Sequence, residues 1–204
     1  MPARTDLLVI GAGPYAYATA AYARDRGLDT HVAGHPMASW REQMPADMYL
    51  RSGPDWPLDA TGEHTFAAFF EERGLDPTEH DPIPIGVFLD HTEWFAQRKG
   101  LAADPPLVAG LTKPDDRFVA ALTDGSTVEA DRMVAAPGVG YFAQLPEWHL
   151  RVPEGRRSHT SGFETSLPGL FVVGFAATRD FGPFDGFTAG CLSAARIVVD
   201  EMLR

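Results

Sequence analysis

The segment that most restricts this chain is Asp6-Leu-Leu-Val-Ile10, followed at once by Gly11-Ala-Gly13-Pro-Tyr-Ala16. A short unbroken apolar run bounded by glycine is the pattern of a central parallel strand covered on both faces. From Pro14, tolerated in a first helical turn because its missing N–H has no partner there, an Ala- and Tyr-rich stretch to Arg26 predicts a helix stopped by Gly27. Asp29 to Gly34 predicts a second strand. Strand, glycine turn, helix and strand make one βαβ unit of about 30 residues. In such a turn the first glycine permits the bend, the second lets backbone approach a pyrophosphate, and a small third residue, here Ala16, lets helix and strand pack closely. The turn predicts a dinucleotide site.

Charge and cysteine content narrow the function further. Seventeen Lys and Arg against 28 Asp and Glu give a formal net charge of −11, which repels nucleic-acid backbones and anionic lipid surfaces. The single cysteine, Cys191, excludes an internal disulfide framework and a Cys-rich zinc site and suits a reducing cytoplasm. The histidines at 31, 35, 64, 80, 91 and 149 show no metal-ligand spacing, so no metal is expected. Leu7–Ile10 is too short for a signal-peptide core, and no window approaches the roughly 18 apolar residues of a membrane span. The expectation is a soluble cytoplasmic protein without nucleic-acid or membrane partners.

Four prolines break residues 35–58 into a loop that carries Trp40, Tyr49, Arg51 and Trp56. Helices are predicted at Glu63–Arg73, closed by Gly74, and at Thr92–Lys99, capped by Asp90 and closed by Gly100. Short strands are predicted at Leu107–Leu111, Phe118–Leu122 and Thr127–Ala130, the last two joined across an Asp124-Gly125 turn. Met133–Ala136 and Leu170–Val173 read as buried strands, and Phe187–Leu203 as the final helix. At 204 residues and 45% hydrophobic content, one domain with one substantial core is expected.

Three segments together carry a resemblance. Leu8 to Ala16, the meander 107–130 leading into Val134-Ala-Ala-Pro-Gly138, and Leu167-Pro-Gly-Leu-Phe-Val-Val-Gly174 resemble the FAD contact segments of flavin-containing monooxygenase and N-hydroxylase-like flavoproteins. The resemblance implies an α/β fold of the FAD/NAD(P)-binding Rossmann-like type, with a central parallel sheet and an antiparallel β-meander. It implies FAD as cofactor, with contacts from Gly11, Gly13, Pro14, Tyr15, Ala16, His35, Trp40, Arg41, Val108, Ala136, Gly138, Gly174, Phe175 and Phe187. Gly155, His159 and Phe163 also resemble the family fingerprint that leads into a second, NADPH-binding domain. Here the fingerprint leads within a few residues to Leu167, too few for a βαβ unit of about 30. The chain thus reads as a single FAD-binding domain, 1–204, with the NADPH domain absent at about 163–166. Gly34-His35-Pro36 stands where a ribose-binding Asp or Glu is usual.

The candidate chemical residues each have a plainer reading. Arg51 either binds an anionic group or forms a surface ion pair, and Asp185, like Asp180, is either a general base or a helix cap. His159 is either catalytic or a remnant of the lost domain coupling. The phenylalanines at 175, 181, 184 and 187 either line an apolar substrate pocket or fill space. The leading expectation is a small FAD-dependent oxidoreductase, monooxygenase- or oxidase-like, acting on an apolar specialised metabolite. Its flavin would be reduced by the substrate or by a separate flavin reductase, and the face vacated by the missing domain would form a homodimer. The alternative is a non-redox cyclase, isomerase or dehydratase, or a binding protein, with FAD as scaffold or absent.

Overall fold

The computed structural model describes residues 3–138, 162–165, 167–177 and 188–203. The opening unit forms as expected, with β1 at Ala3–Ile10, α1 at Pro14–Asp25 and β2 at Thr30–Ala33. β1 is central because its apolar residues alternate between two buried faces. It pairs in parallel with β2 on one side and with β6 (Thr127–Ala135) on the other. A two-residue strand, β3 (Ala103–Asp104), extends the parallel sheet beyond β2 and was not legible in the sequence.

β6 belongs to two structures at once. Residues 127–130 pair antiparallel with β5 (Phe118–Leu122), and β5 pairs antiparallel with β4 (Val108–Thr112), which makes the predicted meander. Residues 133–135 pair in parallel with β7 (Leu170–Val172). The two strands expected at 127–130 and 133–136 are therefore one. The polar pair Asp131-Arg132 does not interrupt it, because Arg132 keeps its place opposite Leu7 of β1.

The strand order β3-β2-β1-β6-β5-β4 fixes the layering. In a flat sheet β3 and β4 would stand about 24 Å apart at normal strand spacing. Only four Cα steps separate Asp104 from Val108, a reach of about 14 Å. The meander must therefore curl over one face of the parallel sheet. Burial agrees: Leu8, Ala33 and Met133 form one apolar cluster with Phe118, Ala120, Leu122 and Val128. Leu7, Val9, Val32 and Val134, on the opposite face, pack with the helices.

That helical layer consists of α1, the short α2 (Ala38–Glu42), α3 (Phe66–Arg73), α4 (Ile85–Arg98) and α5 (Cys191–Met202). α2 lies inside the segment expected to be all loop. α3 starts at Phe66 rather than Glu63, because Thr65 caps it by accepting from Ala68 N–H at 3.2 Å. α4 begins a full two turns before the expected Thr92. Pro84 serves as its N-cap residue, the buried Ile85, Phe88, Thr92 and Phe95 lie on one face, and Asp90 is an exposed mid-helix residue rather than a cap. α5 packs along α1, where alanines on both helices permit close approach, and Cys191 is buried at its start. Among the described residues no helix is long and apolar enough to cross a membrane.

His91 is the unusual core residue. It is fully buried on α4, stacked on Phe66 with ring centroids 3.8 Å apart, and edge-on to Phe69 at 5.5 Å. Neither ring nitrogen finds a hydrogen-bond partner of normal geometry among the described residues. Burial pushes its pKa down to about 4. A histidine held neutral in the fold binds its proton more readily unfolded, so its contribution is present above pH 6.5 and is lost as pH falls toward 4. A depression from 6.5 to about 4 corresponds to roughly 3 kcal/mol. His91→Phe is expected to remove most of the stability loss between pH 6.5 and 4.5, as read from urea midpoints across that range.

Candidate functional site

The three segments singled out by sequence meet at the carboxyl ends of β1, β6 and β7. Gly11 closes β1 by donating its N–H to Ala33 C=O at 2.8 Å, and Ala136 N–H reaches Ile10 C=O at 2.8 Å. A Cβ on Gly11 would lie 2.1 Å from Ala136 O, and Gly11 has φ +103°, so only glycine fits. The third segment follows β7: Val173 N–H donates to Ala135 C=O at 3.1 Å, and Gly174 sits against the Tyr15 ring at 3.5 Å from its ideal Cβ.

Gly13 differs from Gly11 in what surrounds it. Its φ of −90° is open to any residue, yet a Cβ there would meet no atom of the described residues within 4 Å, its chain neighbours and the backbone of α1 aside. Gly13 is also the N-cap of α1, with no side-chain hydrogen bond capping the helix and no acidic residue in the first turn. Pro14 occupies the first helical position and Ala16 is fully buried against the sheet. The positive end of a buried helix thus stands over the carboxyl edge of a parallel sheet with none of the described residues set against it, the place where this architecture takes phosphate-bearing ligands. The helix start and its electrostatics fit a pyrophosphate group.

The remaining predicted residues are distributed as follows. Gly138 is exposed just beyond Ala136, and His35 is exposed just beyond β2. Trp40 packs its ring on Phe88 at 4.7 Å, and Arg41 pairs with Glu93 at 3.8 Å, so both link α2 to α4. Val108 starts β4 opposite Leu122, half-buried against the meander cluster. Arg51 is exposed, in a loop whose next residue, Ser52, accepts a hydrogen bond from the Thr188 hydroxyl at 2.9 Å just before α5. Phe175 lies in a 3-10 turn at Gly174–Ala177. His159, Asp180, Phe181, Phe184, Asp185 and Phe187 lie outside the described residues.

Two features were missed by sequence reading. Gly34 packs directly on the glycine turn: its Cβ would come 3.1 Å from Ala12 N and from Gly11 Cα. The second is a polar cluster beneath α1. Asp59, whose side chain is 1% exposed, accepts hydrogen bonds from Thr61 N–H at 3.0 Å and His64 N–H at 2.9 Å, with His64 Nδ1 at 2.8 Å. Lys99, 7% exposed, lies 3.3 Å from Asp59 and 2.8 Å from Asp25. Burial pushes the Asp59 carboxyl up, but these hydrogen bonds outweigh it and hold it well below the usual carboxylate range. Burial likewise pulls Lys99 down, and its two carboxylate partners hold it above the ordinary lysine value.

Asp59, Glu63 and His64 offer ligand atoms within 4.8 Å of one another, a grouping that sequence spacing did not suggest. Lys99 already pairs with Asp59, so a cation bound there would compete with it. The cluster sits by Asp25, at the far end of α1 from Gly13, about 18 Å away for a 12-residue helix. It is a clamp joining α1, α4 and the 59–64 loop.

No protein-family model matches the sequence, and no curated protein matches it. Solved structures do. A lysine monooxygenase from Nocardia farcinica, NbtG, superposes with a TM-score of 0.70 at 15% identity, covering 95% of this chain and 99% of that one. A bacillithiol disulfide reductase from Staphylococcus aureus matches with a TM-score of 0.56 at 18% identity over 67% of this chain. A flavin-containing monooxygenase from Stenotrophomonas maltophilia matches with a TM-score of 0.51 at 18% identity, also over 67%. In the latter two the match spans only 39% of the neighbour's length. All three are oxidoreductases by name. The fold is the FAD/NAD(P)-binding Rossmann-like α/β fold.

Gly11→Ala is expected to lower stability by at least about 2 kcal/mol in urea unfolding, since backbone rather than a side-chain tip opposes the new methyl. Lys99→Met leaves Asp59 buried without its cation, and a loss of about 3 kcal/mol is expected in the same measurement.

Proposed function

We propose that this chain is a small FAD-binding oxidoreductase whose flavin accepts electrons from the substrate itself or from a separate reductase. The observation that carries the reading is the pairing of Gly11 and Gly13: one is walled in by Ala136 of the second segment, and the other, at a helix start without a side-chain cap, opens onto space that none of the described residues fills. Gly13, Tyr15 and Ala16 would present backbone to the pyrophosphate, while Ala136, Gly138 and Gly174 would border the remainder of the cofactor. Bound there, a flavin supplies two-electron redox chemistry, and the protein's part is to hold it and shape the substrate space beside it.

The proposed absence of a nicotinamide domain is supported by how the chain re-enters the sheet. Thr165 N–H reaches Leu170 C=O at 2.8 Å, and Val172 N–H reaches Phe163 C=O at 3.1 Å. Glu164 and Phe171 form an antiparallel bridge, and Glu164 also accepts from Gly169 N–H at 2.6 Å. The connection between these paired residues spans only 166–169, directly after the position where the fingerprint would open a second domain. The proposed substrate is apolar and enters beside the loop that Ser52 and Thr188 hold against the start of α5.

Purified protein reconstituted with FAD is expected to bind it near 1:1 by absorbance and calorimetry. Anaerobic addition of a turned-over substrate, or of a separate flavin reductase with its own electron donor, is expected to bleach the flavin. Gly13→Val should weaken FAD at least tenfold while lowering the unfolding midpoint much less than Gly11→Ala does, because its side chain meets none of the described residues and only the N-cap preference is lost. Protein that takes up no FAD would overturn the proposal, and turnover without bleaching would overturn its redox part.

A further inference from the structure

The ordinary dinucleotide site carries a carboxylate at the end of its second strand, where it accepts hydrogen bonds from the adenosine ribose. This chain cannot supply one there. Gly34 has φ +152°, and its Cβ would press at 3.1 Å on backbone atoms of Gly11 and Ala12, which cannot swing aside as a side-chain end would. Residues 30–41 contain neither Asp nor Glu, so β2 and the turn after it offer no alternative.

The adjacent strand does. Asp104 ends β3 in register with Ala33, and its backbone C=O accepts Gly34 N–H at 2.8 Å, which sets the residue level with the end of β2. Pro105 and Pro106 follow, and their fixed φ stiffens the backbone leaving this position. The Asp104 side chain is 59% exposed. Its one partner among the described residues is His31 Nε2, at 3.3 Å. That approach is not a hydrogen bond, so the carboxylate is left open to other donors.

We infer that Asp104, presented by β3 beside Gly34, is the carboxylate that binds the ribose hydroxyls of the adenosine half of the cofactor. The inference rests on the FAD reading and deepens it: the adenosine end would be recognised from the strand beyond the usual one. Asp104 is then a cofactor-specificity residue, favouring ligands with an intact ribose diol.

Isothermal titration of wild type, D104N, D104A and D104E with FAD, ADP and 2′-deoxy-ADP tests this. Wild type is expected to bind ADP about tenfold more tightly than 2′-deoxy-ADP, the size expected for a hydrogen bond to a charged acceptor. D104N and D104A are expected to weaken FAD and ADP about tenfold and to erase the preference for the hydroxyl, with D104E restoring part of it. Thermal unfolding matched to wild type establishes that the loss is not misfolding. If D104N and D104A keep both the FAD affinity and the ADP preference, the assignment to Asp104 is wrong while the cofactor reading stands. If wild type binds neither FAD nor ADP, both fall together.

Discussion

The fold depends on one backbone contact, the approach of Gly11 to the carbonyl of Ala136. The first turn can close over β1 only because no side chain stands between them, and β6 can finish its pairing with β1 only because the turn stays clear. With these two chain segments in contact, the start of α1 is held over the carboxyl edge of the sheet, and β7 can add beside β6 to bring in the third segment. Position of the site and integrity of the sheet are therefore the same fact, which is why the glycine that bends and the glycine that faces open space must be tested by different readouts.

Local signals in the sequence were strong where a few adjacent residues determine the outcome. The apolar run before Gly11, the proline at the first position of α1 and the Asp124-Gly125 hairpin all act through nearest neighbours, and each element formed where those residues place it. The start of α4 was obscured because Pro84 and Gly86 flank Ile85 and mimic a break, while burial of Ile85 and Phe88 against other parts of the chain holds the helix together. β3 is two residues long and exists because Gly34 and Asp104 find one another, which no sequence window can reveal.

The same limit applies to the polar groups. Asp59 and His64, Lys99 and Asp25 come from three places in the chain and acquire meaning only as a set of paired groups around the buried Asp59. Read singly, each is an ordinary surface residue. The glycine turn could be read in advance because neighbouring residues alone form it, whereas Asp104 comes beside Gly34 only through the pairing of β3 with β2.

β6 has a further consequence through its double membership. Val134 belongs to the apolar cluster under the helices and Val128, Ala130 and Met133 to the cluster of the meander, so both layers take their register from a single ribbon of backbone. Deleting or inserting one residue within it would turn valine toward the wrong layer on both sides of the protein at once. Length variation during evolution should accordingly be tolerated in the exposed tip at 114–116 and purged from 127–135.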